Sequence, residues 1–384
     1  DHDGAIKDYT KAIEIDPKDT SVYLFRGNSK SKLKDHKGAL RDITKGIEID
    51  PNDAYPYISR GNTKVKLKDY AGAIEDYTKA IEINPKDSYA YQVRGDAQSY
   101  LNNYQAAIKD FSRAIKLNPK NSYLYVAMGN IKSYLGDHKG AIKEISKGIK
   151  INPNSAYAYL SRGESKFYLD NYEEGLKDLS KAIQINPKYP YAYLIRGEIR
   201  IYLKDFKGAL NDLNQAITLN PSSEISYIYR GDAKYFLNDY QSAIDDYNKA
   251  IEINPNNSLS YSNRGDAKYF LDDLEGAIDD FNQAITIDQE FIAPYLGKAW
   301  VNYLKRDFHN AIKDSRKALT LNSKDYSALT TLGRSQYEMG NIKEACSNLK
   351  KAVSINIDVL EDHLKQNTKS YLDSTEGAWC QNQR

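Results

Sequence analysis

The sequence predicts an all-α fold, an α-solenoid of antiparallel helix pairs, and three observations carry that prediction. Prolines fall at Pro17, Pro51, Pro85, Pro119, Pro153, Pro187, Pro221 and Pro255, each 34 residues after the last. Glycines fall at Gly27, Gly61, Gly95, Gly129, Gly163, Gly197, Gly231 and Gly265 on the same period. Between these markers two apolar runs with helical spacing occur per period, each preceded by a polar cap. A fixed period of this size marks stacked units, each burying its apolar face against its neighbours.

With position 1 of a unit set at Thr20, ten units fill 20–359. Residues 1–19 are the second helix of a truncated unit, so a preceding segment is expected and no leader peptide is readable. The first helix of each unit opens at polar caps such as Asp53, Asp87 and Asn121. It continues through Tyr-x-x-Arg-Gly, as in Tyr57 to Gly61. Pro56, Pro190 and Pro294 fall in its first turn, where a missing N–H costs nothing.

A turn near position 15 leads to the second helix. Position 16 is always Asp or Asn: Asp35, Asp69, Asn103, Asp137, Asn171, Asp205, Asp239, Asp273, Asp307 and Asn341. These side chains are suited to accept an orphan N–H of that helix. Asn171 with Glu174, and Asn341 with Glu344, have capping-box spacing. Ala73, Ile74, Tyr77, Ala80 and Ile81 then mark the buried stripe, and the helix stops at Asn84-Pro85. Small residues such as Gly61, Ala73 and Ala80 let two backbones approach closely.

The regularity fails after about residue 288, where proline gives way to Gln289, Ser323 and Ile357 and Trp300 appears at a normally polar position. Residues 360–384 match no unit; Leu360 to Leu372 is expected to form a capping helix, followed by a flexible tail through Trp379 and Cys380.

Tyr91, Gly95, Ala107, Phe111, Ala114 and Pro119 occupy unit positions 4, 8, 20, 24, 27 and 32. With this pattern, residues 1–359 resemble the tetratricopeptide repeat family, in wording similar to its bacterial multi-repeat members. The resemblance implies a right-handed superhelix whose concave groove is lined by the first helix of each unit. It also implies a protein–protein interaction scaffold or adaptor and no enzyme. The alternative is a recognition arm of a larger enzyme or receptor.

One departure from the family has a physical reading. Position 7 is arginine in seven units (Arg26, Arg60, Arg94, Arg162, Arg196, Arg230, Arg264). Position 23 is aspartate in the same seven (Asp42, Asp76, Asp110, Asp178, Asp212, Asp246, Asp280). An antiparallel hairpin sets these positions opposite one another, so each pair is either an ion pair inside the repeat or part of a solvated face. Lys298 with Asp314 keeps opposite charges, Leu332 with Asn348 loses both, and Met128 with Glu144 does not fit.

In the first helix, positions 2, 5, 9 and 12–13 form one stripe, which by resemblance lines the groove. Position 2 carries Tyr55, Tyr89, Tyr123, Tyr157 and Tyr191; position 5 carries Leu24, Ile58, Val126, Leu160, Leu194 and Ile228. Position 9 turns acidic at Asp96, Glu164, Glu198, Asp232 and Asp266, and is Trp300 in the ninth unit. Position 13 adds Tyr100, Tyr134, Tyr168, Tyr202, Phe236 and Phe270, and position 12 adds Phe167, Tyr235, Tyr269 and Tyr303. Such a groove would favour a protein or peptide segment that is basic and partly apolar. The competing reading is that the aromatics serve only to pack neighbouring repeats. The Lys-x-x-x-Asn clamp that related repeats use for acidic chaperone tails is absent, since its positions hold Leu24/Asn28 and Ile58/Asn62.

Other chemistries find little support. Lys and Arg number 54 against 52 Asp and Glu, and the acidic row would repel phosphates, so no nucleic acid is expected as a partner. No run of 18 apolar residues exists, and a soluble, cytoplasmic protein is expected. His2, His36 and His138 sit where other units have Tyr or Phe, and His309 and His363 are isolated, so neither metal nor cofactor is expected. Cys346 replaces Ile or Leu and reads as a small buried hydrophobe. Carboxylate neighbours such as Asp245-Asp246 point about 100° apart on a helix and do not converge.

Overall fold

The computed structural model describes residues 1–356 of the 384. The capping helix expected at Leu360 to Leu372, and the tail with Trp379 and Cys380, lie outside the described residues. Among the described residues there are 21 helices and no strand, and no helix is long and apolar enough to cross a membrane.

The described residues form two compact units, Asp1–Pro187 and the residues from Lys188 onward. The first holds the helix His2–Ile15 and then five pairs, from Thr20–Lys32 with His36–Ile49 to Ala156–Phe167 with Tyr172–Ile185. The second holds five pairs, from Pro190–Tyr202 with Phe206–Leu219 to Tyr326–Glu338 with Ile342–Asn356. Within each unit every helix packs on the next. Most consecutive first helices also touch, as Ala54–Lys66 does Ser88–Tyr100, whereas consecutive second helices among the described residues make no comparable contact. The first helices therefore crowd together along one side of each unit.

The caps explain where helices begin. Asp35, Asp69 and Asp205 each accept the N–H of a glycine three residues on, at 2.9, 3.0 and 3.0 Å. Asn103 and Asn171 make no such bond. Glu174, expected to complete a capping box, pairs with Lys177 at 2.6 Å instead. The turn before each cap puts position 15 in the left-handed region: φ is 67° at Lys34, 60° at Asn102 and 63° at Asp272, with glycine only at Gly136 and Gly340.

Inside every pair but the ninth, where Ala299 and Ser315 take these places, the glycine at position 8 faces the large side chain at position 24. A Cβ on Gly61 would lie 2.5 Å from Cε1 of Tyr77. That ring cannot yield, because it is buried and its hydroxyl donates to Asn62 Oδ1 at 2.8 Å. Gly61→Ala should therefore destabilise by roughly 1–3 kcal/mol through overpacking. Urea unfolding checks this; an unchanged midpoint would show that the ring has room to move.

The Arg–Asp positions do meet. All seven pairs are bidentate, with Nε and Nη2 donating to the two carboxylate oxygens at 2.5–3.0 Å. The aspartates are only 3–6 % exposed, which rules out the solvated-face reading. A second cation one turn on joins most of them, such as Lys64 on Asp76 at 2.9 Å and Lys234 on Asp246 at 2.7 Å. Each guanidinium lies 5.3–5.8 Å from the ring of the position-4 tyrosine.

Its remaining arm reaches the preceding repeat: Arg60 Nη1 donates to Thr44 Oγ1 at 3.2 Å, and Arg264 Nη1 to Asn248 Oδ1 at 2.6 Å. One arginine thus ties three helices. The misfit unit compensates locally, with Glu144 taking Lys147 at 2.9 Å and Lys132 at 3.7 Å. Lys298 stays within 3.6 Å of Asp314, while Asn348 donates to Gln336.

Candidate partner-binding site

The stripe expected to line a groove divides by burial. Position 5 is a correction: Leu24, Ile58, Val126, Leu160, Leu194 and Ile228 are buried core residues. The crowding of consecutive first helices closes over that position. The position-2 tyrosines Tyr55, Tyr89, Tyr123, Tyr157 and Tyr191 stay exposed, as do Tyr100, Tyr134, Tyr168, Tyr202, Phe236 and Phe270 at position 13.

Position 13 also packs. Tyr100 stacks on Tyr70 at 4.8 Å, Tyr168 on His138 at 4.9 Å, Phe236 on Phe206 at 5.1 Å and Phe270 on Tyr240 at 4.9 Å. Tyr134 meets Tyr104 at 4.8 Å in a tilted arrangement. In each case the partner is the first residue of the preceding repeat's second helix, so one ring face is used between repeats. His138 is accordingly a packing residue, its Nδ1 also 3.0 Å from Ser133 Oγ.

The acids at position 9 are half-buried, and most are held by the next repeat. Tyr123 donates its hydroxyl to Asp96 Oδ1 at 2.7 Å, and Tyr229 donates to Glu198 Oε1 at 2.7 Å. Asp232 Oδ1 accepts both Tyr247 at 2.8 Å and Asn263 Nδ2 at 2.8 Å. Part of the acidic row is thus already engaged by neighbouring side chains. Asp266 accepts no hydrogen bond and joins no ion pair among the described residues. Glu164 is half-buried on the helix Ala156–Phe167. Trp300 donates Nε1–H to the Tyr269 hydroxyl at 3.0 Å and lies 5.5 Å from Tyr303 and 5.6 Å from the Arg334 guanidinium.

These residues line open cavities. In the first unit, Asp96, Tyr123 and Tyr157 share one of about 390 Å³ with Tyr100 and Asn130. Asn130 Nδ2 donates to the Tyr157 hydroxyl at 2.6 Å. In the second unit, Glu198, Tyr202 and Asp232 share one of about 570 Å³ with Tyr229, Phe236 and Lys204. A smaller one, about 230 Å³, lies between Asp232 and Asp266, walled by Tyr235, Phe236, Tyr247 and Asn263. Tyr229, Asn263 and Asn130 escaped the sequence reading, because their role depends on contact with a different repeat.

Burial sets the electrostatics. It pushes the Asp96 carboxyl up to about 6, against hydrogen bonds from Tyr123 and Gln92 that lower it. Asp232 is likewise pushed up to about 6, against Tyr247 and Asn263. Asp266 rises to about 7, first by burial and then by the charge of Asp232. No cation neutralises these three among the described residues.

Asp266 therefore binds its proton more tightly folded than unfolded, and its ionisation opposes folding. That penalty is full above about pH 7 and gone below about pH 4. Asp266→Asn should raise stability at pH 8 by on the order of 2 kcal/mol, allowing for screening on the open side. The gain should close as pH falls from about 7 towards 4. Melting curves at several pH values check this; a gain independent of pH would contradict it.

The repeats match family models. One described as Tetratricopeptide repeat matches residues 1–19, 20–53, 122–155, 156–189, 190–223, 259–291 and 326–356. A second of the same description matches 54–87 and 88–121, and one described as TPR repeat matches 231–272. Among solved structures, MamA is 30% identical over 44% of this chain and 92% of its own, with a TM-score of 0.41. YrrB, described as a TPR protein with an unusual peptide-binding site, is 26% identical over 48% of this chain and 95% of its own, at 0.42. Tom70 of yeast is 17% identical over 100% of this chain and 92% of its own, at 0.49. No curated protein matches the chain.

Proposed function

The chain belongs to the tetratricopeptide repeat family, and on that premise we propose that it is a protein-interaction scaffold whose first-helix rows receive a basic, partly apolar segment of another protein. The observation that carries this reading is the set of half-buried carboxylates, Asp96, Asp232 and Asp266, in aromatic-lined cavities without a neutralising cation among the described residues. Desolvated carboxylates without a counter-ion are costly in the free protein and become favourable once a cation arrives. Exposed tyrosines at positions 2 and 13 add contact area with few rotors to freeze. The sites form by packing between consecutive repeats, which suits binding along a row.

Selection from a randomised peptide display library against the full chain tests the reading. Enriched peptides should combine Lys or Arg with aliphatic or aromatic residues. Enrichment of acidic peptides, or of none, would overturn it.

A further inference from the structure

Resting on that reading, we propose that the cavity between Asp232 and Asp266 is a lysine socket, taking the side-chain ammonium of one lysine of the bound segment. Its chemistry is specific. Asp232 spends Oδ1 on Tyr247 and Asn263, while its Oδ2 accepts no bond. Asp266 accepts none on either oxygen. Among the described residues three carboxylate oxygens are thus unused, and no lysine or arginine lines the cavity. An ammonium carries three N–H donors and no acceptor, which matches that count.

The walls fit the rest of the side chain. Tyr235, Phe236 and Tyr247 surround the cavity with rings, suited to the methylene stem and to cation–π attraction. Tyr235 is set edge-on to Phe236 at 5.5 Å and to Phe270 at 5.6 Å, which fixes the rings before any guest arrives. The volume, about 230 Å³, is many times the roughly 30 Å³ share of one water. A guanidinium brings five donors in a rigid plane and would leave some unpaired. A trimethylated lysine brings none, so the free oxygens would stay unsatisfied. Calcium or magnesium takes six or more oxygen ligands and gains nothing from rings.

The test titrates the full chain with N-acetyl-lysine amide, N-acetyl-arginine amide and N-acetyl-trimethyllysine amide, followed by ligand-observed NMR. The lysine probe should bind at least tenfold tighter than either alternative, a comparison that needs no variant. Asp266→Asn should weaken it at least tenfold with an unchanged circular dichroism spectrum. Absence of lysine binding, equal binding to Asp266→Asn, or tighter binding of the arginine or trimethylated probe would each overturn the socket. The two readings fail separately. Display-selected peptides that bind wild type and Asp266→Asn equally keep the groove and remove the socket. A lysine probe that binds while display enriches nothing keeps the socket and removes the groove.

Discussion

Asp76→Ala should destabilise the protein by about 3–5 kcal/mol, the range for breaking a buried ion pair by removing one partner. The aspartate is 4 % exposed and holds two cations, Arg60 at 2.7 Å and Lys64 at 2.9 Å. Its loss leaves both half-buried charges facing each other in a space shaped for a carboxylate. Arg60 also anchors Thr44 of the preceding repeat, so the damage should cross the repeat boundary. Replacing both partners, as Arg60→Met with Asp76→Leu, should recover much of the loss, because an apolar contact can substitute for a buried pair. Urea unfolding reads the magnitude, and hydrogen exchange reads its place, since a repeat array need not unfold as one unit. A loss below about 1 kcal/mol would mean that water screens the pair.

Neutralising three acids together, Glu198→Gln, Asp232→Asn and Asp266→Asn, should weaken a display-selected basic peptide at least about 100-fold. Each charge-assisted hydrogen bond contributes about 1.5–3 kcal/mol, and about 1.4 kcal/mol is a factor of ten. Stability should not fall in parallel, because burial already opposes ionisation at Asp232 and Asp266. A peptide with norleucine in place of lysine should bind weakly and equally to both proteins. Calorimetry or fluorescence anisotropy checks the pair. Unchanged affinity for the lysine peptide would mean that the acids serve solubility alone.

The fold was legible because its signals are local or recur at one fixed offset. Pro85 stops a helix by its own geometry, Asp69 caps one by its own oxygen, and Arg60 with Asp76 vary together across a hairpin of fixed length. What escaped depends on contacts between repeats. Nothing in the stripe around Ile58 distinguishes a groove residue from one covered by the neighbouring first helix, yet Ile58 is 2 % exposed. The engagement of Asp96 by Tyr123 spans 27 residues, and that of Asp232 by Asn263 spans 31. No single unit displays either pairing. The left-handed turn at position 15 was hidden for another reason, since Lys34, Asn102 and Asp272 occupy it where glycine would have signalled it. The acids themselves were visible in the sequence, but which of them lacks a partner was not.

The most direct test is to photo-crosslink a display-selected peptide to the full chain and map the attachment by mass spectrometry. Attachment should fall on first-helix residues of the row, such as Tyr123, Tyr157, Tyr235 and Phe236. Attachment on the second helices, around residues such as Lys109 and Arg113, would contradict the account.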